Sequence, residues 1–388
     1  MAFDLELLSS KLKRYRTQFQ FDIDDLSNST GIPVDRITEI ENGIKEPTGD
    51  EILILADFYM VDYKFFISNQ QIAPFEQTET LFRNYDEELF KEDRWAIQEF
   101  LFLCECEEFL MRKTSFQRLQ TPFHFKKRGT YFKEQGKEAA EKLRKYLRYD
   151  FNKGIINIYN DFRKIGFHVF RRRLDNPRIS GLFIRHPTAG NCILVNYNED
   201  IYRQRFSAAH EAAHAILDDN GDSNISFKKY DRNKLSEIRA NAFASNFLIP
   251  GELLINIPDS SKWTIDKGRE WARNLKVSTS ALAYALKDAN LITQETVMML
   301  KSNPLNRKEK IDPELQPVLS PKILKRKKEA LKLGLSSFYV NLCFDAYEKE
   351  VISIGRLAEM LSISDSLISE GCIYILSKNH AALRSVIP

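Results

Sequence analysis

Apolar side chains recur at helical spacing through the first 70 residues, at Leu8, Leu12, Leu26, Ile32, Ile37, Ile40, Ile52, Leu55 and Phe58. Turn signals at Gly31-Ile32-Pro33 and Asn42-Gly43 divide this stretch into short helices, and Pro33 suits the first turn of the segment between them. From about 71 to 150 the pattern stays helical but becomes charged and aromatic. WAIQEFLFLCECEEFLMRK predicts one long apolar-faced helix, a loop follows around Gln120 to Gly136, and Lys137 to Arg148 predicts another amphipathic helix. The character changes near 154. INIYNDFRKIGF predicts a helix ending at Gly166, followed by three β-rich runs, FHVFRRR, SGLFIRH and NCILVNY, parted by the turns DNPRI and PTAG. Ile201 to Asp219 contains no Pro or Gly and reads as a helix closed by Asn220-Gly221; another runs from about Lys234 to Leu248 and stops at Pro250-Gly251. Residues 252 to 300 are helical again. Pro304, Pro313, Pro317 and Pro321, set among charges, suit an extended linker. The last 65 residues predict a small helical module, in which ISIGRLAEMLSIS loosely repeats the alternation of a helix-turn-helix.

Composition adds limits. A length of 388 residues suits two or three domains, and 43% hydrophobic with 29% charged residues is ordinary for a folded, soluble protein. The formal charge of +3 gives no overall argument for nucleic acid or an anionic membrane. No run of about 18 apolar residues appears, and MAFDLELLSSKLKRY lacks the apolar centre of a signal peptide, so the expectation is a cytoplasmic protein with no membrane partner. The cysteines, Cys104, Cys106, Cys192, Cys343 and Cys372, are odd in number and scattered. Cys104-Glu-Cys106 lacks the C-x-x-C spacing of a metal site, which leaves buried free thiols as the expectation.

Candidate chemistry concentrates in AAHEAAHAILDD, where H-E-x-x-H falls on a helix. Positions i and i+4 share a face, so His210 and His214 can bind one metal ion, and Glu211 projects beside them, where it can take a proton from water on that metal. The neighbours Ala208, Ala209, Ala212, Ala213, Ala215, Ile216 and Leu217 are small or apolar, as a buried active-site helix requires. A catalytic zinc needs a third protein ligand and one open position. His124, His168, His186 and His380 are available, but Glu237, 23 residues after His214 at the start of an amphipathic helix, is better placed. Its i+4 neighbour Asn241 can hydrogen-bond a ligand. The competing reading of Glu237 is a solvated carboxylate favoured by the helix dipole, and spacing alone does not separate the two.

These residues resemble a known family. SGLFI (180–184), CILVNYNEDIYRQRFSAAHEAAHAIL and the E-x-x-A-N-A-F-A-S-N-F-L-I-P segment are similar to the ImmA/IrrE metallo-endopeptidases, over about residues 137 to 260. The resemblance implies a zincin-like α+β peptidase domain with Zn2+ as cofactor, His210, His214 and Glu237 as ligands, and Glu211 as general base. It also implies cleavage of a cytoplasmic repressor or antitoxin protein, with derepression of stress, phage or mobile-element genes. Ala212-Ala213 departs from the family's Leu-Gly but keeps the helix. FDAYEKEVISIGRLAEMLSIS resembles the tail of longer members, and residues 71 to 136 match less well.

Residues 7 to 67 resemble a Cro/cI-type (XRE) helix-turn-helix, carried by DLSNSTGIPVDRITEIENGIKEPTGDEILILADFY. In that arrangement Ile23 to Thr30 braces on the backbone, while Pro33 to Glu41 offers Val34, Asp35, Arg36 and Thr38 to the major groove. Charge opposes this use. Residues 1–69 hold 7 basic and 13 acidic residues, a net of −6, and phosphate contacts supply most non-specific affinity. Operator DNA and a protein surface therefore both remain candidate partners for this module. The basic runs 126–128, 171–173 and 325–328 read first as solvated surface.

The expected fold is mainly α with a small β-sheet. It comprises a five-helix helix-turn-helix domain (1–70), a helical connecting segment (71–136), the central peptidase domain (137–302), a linker (303–322) and a C-terminal helical, helix-turn-helix-like module (323–388). The leading expectation is a zinc endopeptidase, with Tyr202, Tyr230 and Arg203 as candidates to stabilise an oxyanion. The alternative is a DNA-binding transcription regulator or antitoxin-like protein whose zinc domain is a sensor or scaffold. Either is compatible with an oligomer.

Overall fold

Side-chain caps start the N-terminal helices. Asp4 accepts from the Leu7 N–H at α1 (Leu5–Gln18), Asp22 from that of Asp25 at α2 (Ile23–Thr30), and Thr48 and Glu51 form a reciprocal capping box at α4 (Gly49–Phe58). Gly31, left-handed at φ 74°, ends α2, and Pro33 precedes α3 (Val34–Glu41); α5 is Tyr63–Ile67. The computed structural model describes residues 4–61, 63–68, 89–114, 123–150, 154–155, 157–218, 223–227, 235–315 and 320–362. Residues 69–88 and 363–388, which include parts of the expected connecting segment and C-terminal module, lie outside the described residues.

The chain forms two compact units, Met1–Phe102 and Leu103–Pro388, and the boundary falls inside α6 (Lys91–Lys113). In the first unit Leu8, Leu12, Leu26, Ile32, Ile37, Ile40, Ile52 and Leu55 are buried, as their spacing predicts, and Phe58 is half-buried. Arg16 of α1 forks onto Glu41 of α3 at 2.8–3.1 Å. Trp95 of α6 meets Phe19, Phe21 and Phe58 with ring centroids 5.3–5.7 Å apart, so this unit extends well beyond residue 70.

Among its described residues the second unit holds four strands, β1 (Phe167–Arg172), β2 (Ile179–His186), β3 (Gly190–Asn196) and β4 (Ser223–Phe227), in the order β1-β3-β2-β4. β1 runs parallel to β3, and β2 is antiparallel to both its neighbours. Three strands follow the predicted runs; β4 is too short for its alternation to stand out. β1, β2 and β3 are buried on both faces. Phe167 and Val169 of β1 join one core, while His168 and Phe170, one residue out of step, meet Glu107 and Tyr339.

α7 (Phe132–Tyr146), α8 (Ile158–Lys164), α9 (Ile201–Leu217) and α10 (Leu235–Leu248) build the layer that positions the site. α9 lies on β2 and β3, and α10 packs against α9 and α7. α7 starts five residues earlier than its periodicity suggests, because Gly136 is a packing residue, not a helix stop. A β-carbon there would stand 2.3 Å from the Arg239 carbonyl oxygen and 2.9 Å from the Phe243 nitrogen. The domain continues through α11 (Gly251–Ile255), α12 (Ile265–Leu275), α13 (Thr279–Asp288) and α14 (Gln294–Ser302).

The proline-rich segment that follows is pinned by ion pairs. Glu309 binds Arg269 and Arg273 at 2.7 and 2.9 Å, and Asp312 with Glu314 holds the buried Arg171. α15 (Pro321–Lys332), α16 (Ser337–Glu348) and α17 (Ile354–Met360) complete the described chain. Cys104, Cys106, Cys192 and Cys343 are buried free thiols, and Cys372 lies outside the described residues. Among the described residues no helix is long and apolar enough to cross a membrane.

Candidate metal centre

Asp200 accepts from the Tyr202 N–H and starts α9, the helix that carries H-E-x-x-H. Ala208, Ala209, Ala212 and Ala213 are fully buried, which lets the helix press against the sheet and α10 while its polar face turns to one point. At that point Nε2 of His210 and Nε2 of His214 stand 3.1 Å apart. Glu237, reaching across from the first turn of α10, places Oε2 3.1 Å from the former and Oε1 3.2 Å from the latter. The three residues offer ligand atoms that all lie within 4.8 Å of one another.

This donor set fits zinc. Two imidazoles and a carboxylate are a common catalytic set, and tetrahedral bonds of about 2.1 Å would separate ligand atoms by about 3.4 Å. The electrostatics ask for positive charge at the same point. Burial alone would lower His214, but hydrogen bonds to Asp218 and Glu237 outweigh it and hold its pKa at about 10. Burial keeps His210 below its ordinary value despite Glu237. Glu237 stays well below the usual carboxylate range, because the two histidines overcome the cost of burying it.

Glu211, next to His210 on α9, is fully buried. A β-carbon at Gly181 would stand 3.2 Å from its Oε1, so the glycine of β2 leaves the space in which this carboxylate sits. Asn241, expected to support a ligand, is exposed. The hydrogen bond to His214 comes from Asp218 instead, at 2.7 Å from Nδ1. Asp218 has left the helix with extended backbone, which is why α9 stops short of Asp219. Its signal in the sequence is its i+4 spacing from His214. Gly181 enters the sequence reading only within the SGLFI resemblance, and Arg239, which binds Asp218, carries no comparable signal.

The other candidates separate. His124 is exposed, His168 lies between Glu107 and Glu108 at 2.6 and 3.1 Å, and Nδ1 of His186 accepts from the Ala189 N–H. The Tyr202 hydroxyl accepts from the Ile311 N–H at 3.4 Å. Arg203 is exposed and lies over Phe206, whose ring centroid is 6.2 Å from that of His210. Tyr230 and His380 lie outside the described residues.

In the first unit Val34 is exposed and the Thr38 hydroxyl donates to the Val34 carbonyl. The fork of Arg36 is engaged. It donates twice to Glu51, at 2.8 Å each, and once to the Glu46 carbonyl.

Residues 162–287 match the family model described as the IrrE N-terminal-like domain, and residues 12–66 match a helix-turn-helix model. The chain joins a helix-turn-helix domain to an IrrE N-terminal-like domain. The IrrE-like match takes in β1 to β4, α9 and α10, and so includes His210, Glu211, His214 and Glu237; it then runs on into α13. Its fold is that of a metallopeptidase family, and the two domains together are those of a protease and DNA-binding regulator class. Among curated proteins, none matches the chain.

Proposed function

We propose that the protein is a zinc-dependent endopeptidase that cleaves a cytoplasmic repressor or antitoxin protein and so derepresses stress, phage or mobile-element genes. One observation carries the reading: two histidines and a glutamate from separate helices converge within 3.1–3.2 Å, with a fully buried glutamate beside them. His210, His214 and Glu237 would hold the ion. Bound there, zinc would acidify a water and polarise a peptide carbonyl. Glu211 accepts the proton of the attacking water and delivers it to the leaving amine. Arg203, on the helix face of His210, is the better placed of the two oxyanion candidates among the described residues.

The experiment is cleavage of the product of the adjacent gene by purified protein and zinc. Glu211→Gln should retain zinc and lose cleavage; equal cleavage by that variant removes Glu211 from the mechanism. The helix-turn-helix match favours a second reading, a DNA-binding regulator with a zinc scaffold. The module's net charge of −6 and the engaged Arg36 weigh against it. An electrophoretic shift with the protein's own promoter, run beside the cleavage assay, separates the two.

A further inference from the structure

We infer that Asp218 and Arg239 form a positioning pair that sets the tautomer of His214 and the gap between the two helices bearing the metal-binding side chains. The inference rests on the zinc reading above and assigns roles to two residues outside its ligand set. Asp218 turns back toward α9 and its Oδ2 accepts from Nδ1–H of His214 at 2.7 Å. A neutral imidazole, the form that binds a metal, presents a lone pair on one nitrogen when it donates through the other. In His214 that other atom is Nε2, the atom 3.1 Å from His210 and 3.2 Å from Glu237. Nδ1 of His210, by contrast, is buried with no hydrogen-bond partner among the described residues. His214 is the ligand whose orientation the protein controls.

The second oxygen of Asp218 takes the guanidinium of Arg239. Arg239 lies two residues after Glu237 on α10, so two separate contacts, His214–Glu237 and Asp218–Arg239, tie α9 and its end to α10. The second contact is braced from outside. Arg239 donates to Oε1 of Gln135 at 3.2 Å and lies over the Phe132 ring, 5.1 Å from its centroid. Gln135 donates in turn to the Gly129 carbonyl at 2.8 Å. Arg239 and Gln135 are both buried, and a planar fork held on two sides transmits geometry as a flexible ammonium does not. At the same contact Gly136 of α7 lies against the backbone of α10 at Arg239.

The test is zinc affinity of the full-length protein, by competition with a chromophoric chelator, together with the visible spectrum of the cobalt-substituted form. Asp218→Ala should weaken zinc about 10- to 100-fold and alter the cobalt spectrum. Asp218→Glu, which keeps the carboxylate, should recover part of that affinity. Arg239→Met should weaken zinc in the wild-type background and have no further effect in Asp218→Ala, because it acts through Asp218. Circular dichroism of the metal-free forms checks folding; should Asp218→Ala fail to fold, Asp218→Glu carries the comparison and the cycle with Arg239→Met. Unchanged affinity and spectrum in Asp218→Ala, or equal losses from Arg239→Met in both backgrounds, overturns the pair. Wild-type protein with no zinc affinity overturns the reading of the site itself, a separate and recognisable result.

Discussion

A β-carbon on Gly181 would stand 3.2 Å from Oε1 of Glu211 and 2.9 Å from the Leu194 carbonyl oxygen. The strand below the active-site helix is therefore shaped around the proposed general base. Leu194 belongs to β3, hydrogen-bonded to β2, so neither backbone can yield without disturbing the ladder. Gly181→Ala is expected to cost about 1–3 kcal/mol of stability and to displace Glu211. Cleavage should fall more than zinc binding does, since the atoms nearest the added methyl belong to Glu211 and Leu194 and to none of the proposed ligands. Equal losses of both would mean that the glycine serves the fold alone.

The close approach at Gly136 makes a second prediction. An added methyl would meet backbone atoms of Arg239 and Phe243, not a flexible side-chain end. Gly136→Ala should push α10 away from α7, destabilise by about 1–3 kcal/mol and weaken zinc through Glu237. Urea unfolding and chelator competition would measure the two effects. A more stable protein, as helix propensity alone would give, would refute the close contact.

His168 predicts a pH dependence. Burial opposes its charge, but hydrogen bonds to Glu107 and Glu108 prevail and hold its pKa up at about 9. A folded-state pKa above the unfolded value of about 6.5 gives stability that is full below pH 6.5 and is lost as pH rises through about 9, an effect of about 3 kcal/mol. Unfolding midpoints at pH 6, 7.5 and 9 should fall in the wild type, and the difference from His168→Gln should shrink over the same range. A constant difference would disprove the assignment.

Glu51 tests what the helix-turn-helix binds. Arg36 is the one base-reading candidate suited to guanine, and Glu51, whose carboxyl it holds down at about 2, occupies its fork. Glu51→Gln should release that fork and strengthen binding of short duplex DNA, measured by fluorescence anisotropy at low salt. The same variant should lower stability slightly, because Glu51 also closes the capping box with Thr48. Unchanged DNA affinity would mean that Arg36 does not read DNA even when free.

Much of the site could be read along the chain. The i, i+4 histidines, the glutamate between them and the run of alanines follow from helix geometry, and the resemblance brought in Glu237. Asn241 and Asp218 show the limit. Both sit four residues from a proposed ligand, yet Asn241 faces solvent while Asp218, beyond the helix end, turns back onto His214. Periodicity locates a face on one helix; it does not say which neighbour covers that face.

The same division runs through the whole protein. The sequence by itself determined the helices, three of the four described strands, the buried positions of the first unit and the placing of H-E-x-x-H on one helix, because each depends on backbone periods and on caps a few residues apart. Only the tertiary structure decided that Gly136 joins two helices, that Trp95 completes the first unit, and that Arg36 is held by Glu51. It alone brought Arg239 to Asp218 and Gly181 under Glu211. Those contacts join distant parts of the chain, and packing in three dimensions, which no local period encodes, chooses between an exposed residue and a partner.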